Sequence, residues 1–241
     1  MTQGFIDVPP GEIMTKKPDF LYIGAARSGS TYLYKTLKSH SEIFIPVAKE
    51  TNFFSKDENF KKGLNWYFAF FKSDKKIVGE IDHDYFLNPK VAERIKESLP
   101  NVKIICSLRS PIEKTYSQFL FWKGTKIDSK LTFKDYALQP ETIESADYYN
   151  LLKPYFSLFS KEQILILFFD ELVASPNTYL SRVLNFLNLE NNIKSELTNE
   201  IVNPQREPRN QFLFILAYKI YLALKKLQFI NLSGNLKYNS L

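Results

Sequence analysis

The chain has 241 residues, of which 44% are apolar and 15% aromatic, enough to build the core of one α/β domain but not of two. Its formal charge of +6 suits an anionic ligand, but no zinc or RNA-binding motif accompanies the charge, so no nucleic acid is expected as a partner. A single cysteine, Cys106, excludes a disulfide framework, and its place in an apolar run predicts a buried thiol.

Residues 1–17 are interpreted as an extension that precedes the domain. The first ten residues contain neither a basic region nor an apolar stretch, so they do not resemble a secretory signal. We therefore expect a cytoplasmic protein, or else a chain whose membrane anchor has been removed.

Four short apolar runs predict buried parallel strands, at residues 20–24, 77–81, 102–108 and 164–169. Helices are predicted between them at residues 31–38, 89–98 and 111–122, the last two beginning at a proline, which suits the first helical position. This alternation predicts a single α/β domain with a central parallel sheet flanked by helices. Functional residues are then expected at the carboxyl ends of the strands. The polar segment 123–144 is expected to be loop-rich and to carry part of an acceptor site.

The first predicted strand runs directly into a loop of small residues, Ala25-Ala26-Arg27-Ser28-Gly29-Ser30-Thr31, that opens a helix. Backbone N–H groups of such a loop and of the first helical turn converge on an anion of phosphate size. The loop is not a Walker A motif, because only five residues separate Gly24 from Ser30 and the cation, Arg27, precedes Ser28. The loop therefore predicts a nucleotide ligand other than an ordinary nucleoside triphosphate.

A second motif follows the strand at residues 102–108, where Arg109 is followed by Pro111 and, eight residues after the arginine, by Ser117. Together the two motifs resemble the 5′-phosphosulfate loop and the 3′-phosphate motif of sulfotransferases that use 3′-phosphoadenylyl sulfate (PAPS). The resemblance covers about residues 18–210, interpreted as the domain, and is to bacterial-type enzymes similar to the carbohydrate and heparan types. It implies a P-loop-like fold of the sulfotransferase and nucleotide-kinase type.

The resemblance also implies roles for individual residues. Arg27 would meet the oxygen that bridges sulfur and phosphorus, and Arg109 with Ser117 would hold the 3′-phosphate of PAPS and of its product PAP. The 5′-phosphate would be held by small residues of the loop, which are Ser28, Gly29, Ser30 and Thr31. Two further arginines, Arg206 and Arg209, resemble a late basic loop that closes over the cofactor. No metal is implied, and no cysteine or histidine cluster has the spacing of a metal site.

Two residues compete for the role of general base. Glu50, in Lys49-Glu50-Thr51-Asn52-Phe53-Phe54, resembles the catalytic glutamate of heparan-type enzymes. His83, beside Asp82 and Asp84 after a predicted strand, resembles the catalytic histidine of cytosolic sulfotransferases. An imidazole titrates near neutral pH, whereas a carboxylate must be desolvated to become a comparable base. The sequence leaves both alternatives open.

The acceptor is expected to be a hydroxyl of a sugar, glycolipid or small metabolite. Heparan-type members usually carry a lysine in a G-E-K-[ST]-P pattern where this chain has Gly79-Glu80-Ile81-Asp82-His83, which argues against a heparan polysaccharide. The alternatives are a nucleotide or small-molecule kinase on a related fold, disfavoured by the absent Walker lysine, and a non-catalytic nucleotide-binding relative.

Residues 211–241 are predicted to form a helical C-terminal segment. Lysines interrupt its apolar pattern, so it does not resemble a transmembrane helix. We expect this segment to dock on the domain, and peripheral contact with an anionic membrane is the alternative.

Overall fold

The computed structural model describes residues 14–125 and 131–191. Several sequence predictions lie outside these ranges, namely those on Arg206, on Arg209, on the segment 211–241 and on most of the extension 1–17.

The described strands form one parallel sheet in the spatial order β2-β3-β1-β4-β5. The strands are β1 (Phe20–Gly24), β2 (Ile43–Phe44), β3 (Ile77–Ile81), β4 (Lys103–Leu108) and β5 (Ile164–Phe168). The four predicted strands are confirmed. The fifth, β2, has only two residues, too few to show a period in the sequence. Because β1 lies between β3 and β4, its carboxyl end faces the crevice where ligands bind in open sheets of this kind.

Helices cover both faces of the sheet. They are α1 (Ser30–Lys38), α2 (Asp57–Phe60), α3 (Leu64–Phe68), α4 (Pro89–Ser98), α5 (Pro111–Thr125), α6 (Phe133–Ala137), α7 (Pro140–Glu144), α8 (Tyr148–Leu158), α9 (Phe169–Ala174) and α10 (Pro176–Phe186). A 3-10 helix, His83–Leu87, follows β3, and another, Lys161–Gln163, precedes β5. The three predicted helices are confirmed.

The prediction of a loop-rich segment at 123–144 is wrong for most of its described part. Helix α5 continues to Thr125, and α6 and α7 follow. Local signals account for both short helices, since the Thr132 hydroxyl accepts a hydrogen bond from the backbone N–H of Asp135, and Pro140 occupies the first position of α7. The polar composition reflects exposure of these helices to solvent.

The core has two parts, one on each face of the sheet, because side chains alternate along each strand. Leu21 and Ile23 of β1 face an aromatic cluster built with residues of α3, α4 and α8. Phe20 and Tyr22 face the other side, where they pack with α1 and α10. Cys106 belongs to the first part and is fully buried, as predicted.

Candidate active site

The loop after β1 is shaped by a glycine at each end. Gly29, which precedes α1, has φ +95°, and a Cβ atom there would lie 2.8 Å from Cδ2 of Leu172. Gly24, the last residue of β1, has φ +147°, and a Cβ atom there would lie 2.6 Å from Cβ of Phe86. Both positions therefore require glycine for backbone freedom and for close approach. The loop thus packs closely against Phe86 and Leu172 and leads directly into α1.

The small residues of the loop line the start of α1. Ser28 is buried, and its hydroxyl donates to the Ala26 carbonyl at 3.4 Å. Ser30 is the first residue of α1 and Thr31 the second. Backbone N–H groups in the first turn of a helix have no partner within the helix, so this end suits an anion.

Arg27 joins the two predicted phosphate motifs. Its backbone has φ +62°, and its Nε atom donates to Oγ of Ser117 in α5 at 3.0 Å, across 90 positions of sequence. The guanidinium lies 5.3 Å from the ring centroid of Phe121, one turn further along α5. The structure therefore brings the predicted 5′-phosphosulfate loop and the predicted 3′-phosphate serine into direct contact.

Arg109 adds a second guanidinium to the same place. Its Nη1 donates to the Arg27 carbonyl at 3.4 Å, and its Nε lies 3.2 Å from a carboxylate oxygen of Glu113. The Tyr148 hydroxyl donates to the Arg109 carbonyl at 2.9 Å, which fixes the end of β4. Burial lowers the pKa of Arg27, and the charge of Arg109 lowers it further by a smaller amount. Two guanidinium groups beside a helix N-terminus are a donor set that fits the phosphates of a doubly phosphorylated nucleotide.

Glu50 and His83, the two competing bases, touch each other. Oε1 of Glu50 lies 2.9 Å from Nδ1 of His83, close enough for an ion pair when the imidazole is protonated. Nζ of Lys49 lies 3.7 Å from the same carboxylate oxygen. The side chains of Glu50 and His83 are 17% and 28% exposed, so the pair remains accessible from outside. The sequence presented them as alternatives, and the fold makes them a pair.

The surroundings of His83 are acidic. Burial lowers the pKa of His83, but contact with Glu50 and the charges of Asp84 and Asp82 raise it, and the net change is upward. Oδ1 of Asp84 lies 3.6 Å from Nε2 of the ring. Asp82 instead accepts backbone N–H bonds from Asn52 and Asp84, so it organises the chain around the imidazole.

Sequence reasoning did not single out Glu80, which lies behind this pair. Its carboxylate is buried and accepts hydrogen bonds from Thr51 and from the hydroxyls of Tyr67 and Tyr85. Burial raises its pKa. A charged residue inside the apolar strand β3 was the signal that could have revealed it, because carboxylates are almost never fully buried without partners.

Within residues 14–125 and 131–191, no group of three or more His, Cys, Asp or Glu side chains could hold a metal ion. No helix in the described part of the chain is long and apolar enough to cross a membrane.

Comparison with known proteins agrees with this geometry. The model of the sulfotransferase domain matches residues 17–207. The chain belongs to the sulfotransferase family. One relative, the mouse heparan sulfate glucosamine 3-O-sulfotransferase 5, is 28% identical over 192 residues, which cover 74% of this chain and 55% of that protein. This sulfotransferase chain thus spans about half the length of that relative.

Solved sulfotransferase structures share the fold. The sulfotransferase from Alicyclobacillus acidocaldarius superposes with a TM-score of 0.65 at 23% identity, covering 78% of this chain and 87% of that one. Mouse sulfotransferase SULT7A1 complexed with PAP superposes with a TM-score of 0.52 at 15% identity, covering 75% of this chain and 61% of that one. The fold is therefore that of a P-loop-like sulfotransferase, as the sequence predicted.

Proposed function

We propose that this chain transfers the sulfuryl group of PAPS to a hydroxyl of an acceptor. The observation that carries the proposal is the contact of Arg27 with Ser117, with Arg109 beside it. This contact joins the loop that resembles a 5′-phosphosulfate loop to the motif that resembles a 3′-phosphate motif. Members of the sulfotransferase family use PAPS as donor, and the residues present fit its two phosphate groups.

Arg27 acts on the leaving group. As the bond from sulfur to the bridging oxygen breaks, negative charge grows on that oxygen, and a guanidinium stabilises it without giving up a proton. The N-terminus of α1 adds the positive end of a helix dipole, and Arg109 with Ser117 holds the 3′-phosphate so that the donor stays aligned.

Glu50 and His83 act as one base. The acceptor oxygen forms the new bond to sulfur and loses its proton to this pair, whose charge changes from −1 to 0. A carboxylate beside Nδ1 orients an imidazole and stabilises its protonated form, so each residue supports the other. This role explains why both residues resemble bases of related enzymes.

The acceptor proposed is a hydroxyl of a sugar, glycolipid or small metabolite. The name of the mouse relative specifies a glucosamine unit of heparan sulfate. Here Ile81, which replaces the lysine usual in heparan-type enzymes, is buried, whereas Asp84 next to His83 is 42% exposed. This charge distribution favours a neutral acceptor over a sulfated polysaccharide. The cytoplasmic location stays a prediction, which fractionation of source cells tests.

The test is sulfate transfer from ³⁵S-labelled PAPS to an extract of the source cells, with γ-labelled ATP as the comparison donor. We expect label transfer from PAPS alone, and transfer from ATP alone would support a kinase instead. Glu50→Gln and His83→Asn should each lower turnover by about 10²–10⁴, and the double variant should be no slower than the slower single variant.

The pH dependence checks the base independently. Because the reactive pair has a neutral imidazole and the pKa of His83 is raised, the rate should rise with pH through a midpoint above the ordinary histidine value of about 6.5. Any residual activity of Glu50→Gln should show this midpoint at lower pH. The two residues would not act together if the losses in turnover of the single variants multiplied in the double variant. The same conclusion would follow if the pH midpoint of the rate did not move in Glu50→Gln.

A further inference from the structure

The turn that carries Glu50 has an unusual backbone. Glu50 has φ +64° and Asn52 has φ +54°, so two residues with side chains lie in the left-handed region within three positions. This conformation costs free energy for any residue other than glycine, and it persists only where surrounding contacts impose it. The contacts that impose it here come from β3 and the residue that follows it.

Glu80, in β3, holds the middle of the turn. One oxygen of its carboxylate accepts the backbone N–H of Thr51 at 3.0 Å and the Thr51 hydroxyl at 2.5 Å. The other oxygen accepts the hydroxyls of Tyr67 at 2.6 Å and Tyr85 at 2.9 Å. The carboxylate is therefore satisfied by donors on both sides, which offsets its burial.

Asp82 holds the next residue of the turn. Its Oδ2 accepts the backbone N–H of Asn52 at 2.7 Å, and its Oδ1 accepts the backbone N–H of Asp84 at 3.1 Å. Residues 80 and 82 lie on the same side of an extended chain, so two carboxylates hold two consecutive backbone amides. The same carboxylate also anchors the 3-10 helix that begins with His83.

The carbonyls of the turn are bound as well. The side-chain amide of Asn52 donates to the Glu50 carbonyl at 2.7 Å, and the side-chain amide of Asn59 donates to the Thr51 carbonyl at 3.0 Å. The backbone path of residues 50–52 is thus set from several directions, and the direction of the Glu50 side chain follows from it.

We propose that Glu80 and Asp82 are positioning residues, a carboxylate clamp that holds the backbone of residues 51 and 52 so that Glu50 meets His83. The proposal rests on the proposed role of Glu50 and His83 as the base. Neither clamp carboxylate touches the acceptor, since both are buried behind the turn. Asp82 also links the segment of Glu50 to the segment of His83, because it accepts the backbone N–H of Asn52 and the backbone N–H of Asp84.

The pKa of His83 reports whether the clamp holds Glu50 beside the imidazole. The groups that face the imidazole are Glu50, with Lys49 beside it, and the carboxylates of Asp82 and Asp84. If the turn is released, Glu50 leaves Nδ1 and the pKa of His83 should fall toward its ordinary value of about 6.5. The chain has only two histidines, so NMR resonances of His83 are assigned by their loss in His83→Asn.

The experiment is NMR titration of His83 in the full chain, without acceptor, for Asp82→Asn, Glu50→Gln and the double variant. Asp82→Asn turns an NH₂ group toward one of the two backbone N–H donors that the carboxylate holds, so one clamp contact is lost. We expect each single variant to lower the pKa of His83, and Asp82→Asn to lower it much less in the Glu50→Gln background. An equal decrease in both backgrounds would mean that only the charge of Asp82 acts, which overturns the clamp.

Glu80→Gln and Glu80→Ala provide a matched pair. A glutamine keeps an oxygen for the Thr51 amide and turns its NH₂ group to the tyrosine hydroxyls, which can rotate to accept. The pKa of His83 should therefore stay high in Glu80→Gln and fall in Glu80→Ala. A decrease of equal size in both variants would contradict positioning by the Glu80 oxygen.

Hydrogen exchange of the unmodified protein gives a result even where a variant fails to fold. The amides of Thr51 and Asn52 should exchange at least about 10-fold more slowly than an unstructured peptide, and exchange at the peptide rate would overturn the proposal. If Glu50→Gln leaves the pKa of His83 unchanged, both the proposed base and the proposed clamp are contradicted. If Glu50→Gln lowers this pKa but the variants of Asp82 and Glu80 leave it unchanged, only the clamp is contradicted.

Discussion

Arg27 lies where the donor nucleotide and the reaction would meet. It is held by a hydrogen bond from Nε to Ser117 and by the ring of Phe121, and its carbonyl accepts a bond from Arg109. The left-handed backbone at this residue directs the side chain out of the loop toward α5. Its charge is thus preorganised before any substrate arrives, which is the condition for strong electrostatic catalysis.

Arg27→Ala should therefore lower turnover by about 10²–10³ while weakening PAP binding much less, because the charge that Arg27 meets develops fully only in the transition state. Single-turnover sulfate transfer and PAP titration measure the two effects separately. Arg27→Lys is the control, since it keeps the charge and should recover part of the rate. Equal losses in rate and in PAP affinity would make Arg27 a ground-state anchor.

At the scale of residues, the sequence predicted that certain side chains belong to one site, but not how they contact each other. Short motifs carry Arg27, Arg109 and Ser117, and the structure brings all three together, whereas their binding to a nucleotide stays a prediction. The contact of Glu50 with His83 could not be predicted, because it depends on a turn with two left-handed residues held by buried carboxylates. Such long-range hydrogen bonds leave no periodic signal in a sequence.

Among the elements, the start of α1 is sensitive to change. Gly29 combines a positive φ with close approach to Leu172, whereas Gly63, before α3, also has a positive φ but has open space around its Cβ position. Comparing the two glycines therefore distinguishes the effect of backbone strain from the effect of crowding at the loop after β1.

Gly63→Ala should lower the free energy of unfolding by about 1–3 kcal/mol and leave PAP affinity unchanged. Gly29→Ala should also destabilise the protein and should in addition lose PAP affinity by at least about 10-fold, because the loop must move away from Leu172. Thermal unfolding and PAP titration of both variants measure these effects. Unchanged PAP affinity in Gly29→Ala would show that the loop does not bind the nucleotide.

A buried ammonium group joins α5 to Ser145, the residue that follows α7. Nζ of Lys114 donates to the hydroxyl and carbonyl of Ser145 at 2.5 and 3.2 Å, and burial lowers the pKa of Lys114 to about 8. Below this pKa the folded protein must keep a charge out of water, which costs free energy. The cost disappears as the lysine loses its proton.

Stability should therefore respond to pH through Lys114. Between about pH 8 and pH 10 the unfolded chain binds more protons at this residue than the folded one, so the folded state gains about 2 kcal/mol relative to Lys114→Met. The measurement is the difference in unfolding free energy between the two proteins across this range. A constant difference would mean that Lys114 titrates normally in the folded state.

The element predictions succeeded where a pattern was long enough to be periodic. Strand β4 and helix α4 were found from an apolar run and from a proline at a helix start, respectively. Strand β2 is too short for any pattern, and α6 and α7 are short helices that depend on a capping threonine and on a proline. The segment 123–144 was therefore predicted least well, because its short helices depend on caps and on packing.

For the molecule as a whole, the two phosphate motifs predict nucleotide selectivity. At a concentration 100 times its dissociation constant, PAP should stabilise the fold by about 2.7 kcal/mol, and ATP at equal concentration should stabilise it much less. Arg109→Ala should weaken the binding free energy of PAP by about 1.5–3 kcal/mol, because one charge-assisted contact is lost, and should thereby remove most of this preference. Thermal shift assays with PAP and ATP test this, and equal shifts from both would contradict PAPS as the donor.

The hydrogen bond between Arg27 and Ser117 has a consequence for how nucleotides are distinguished. Oγ of Ser117 only accepts in this bond, so its own hydrogen can still be donated to a phosphate oxygen, and the bond uses one N–H of a guanidinium that carries several. A nucleotide with a phosphate on one side only would use the donors of one residue. A nucleotide with phosphates on both sides would use the donors of both residues and leave the bond between them intact. The bond would then act as a spacer of fixed length, so that affinity for a doubly phosphorylated ligand depends on how well the separation of its two phosphates matches the separation of Arg27 and Ser117.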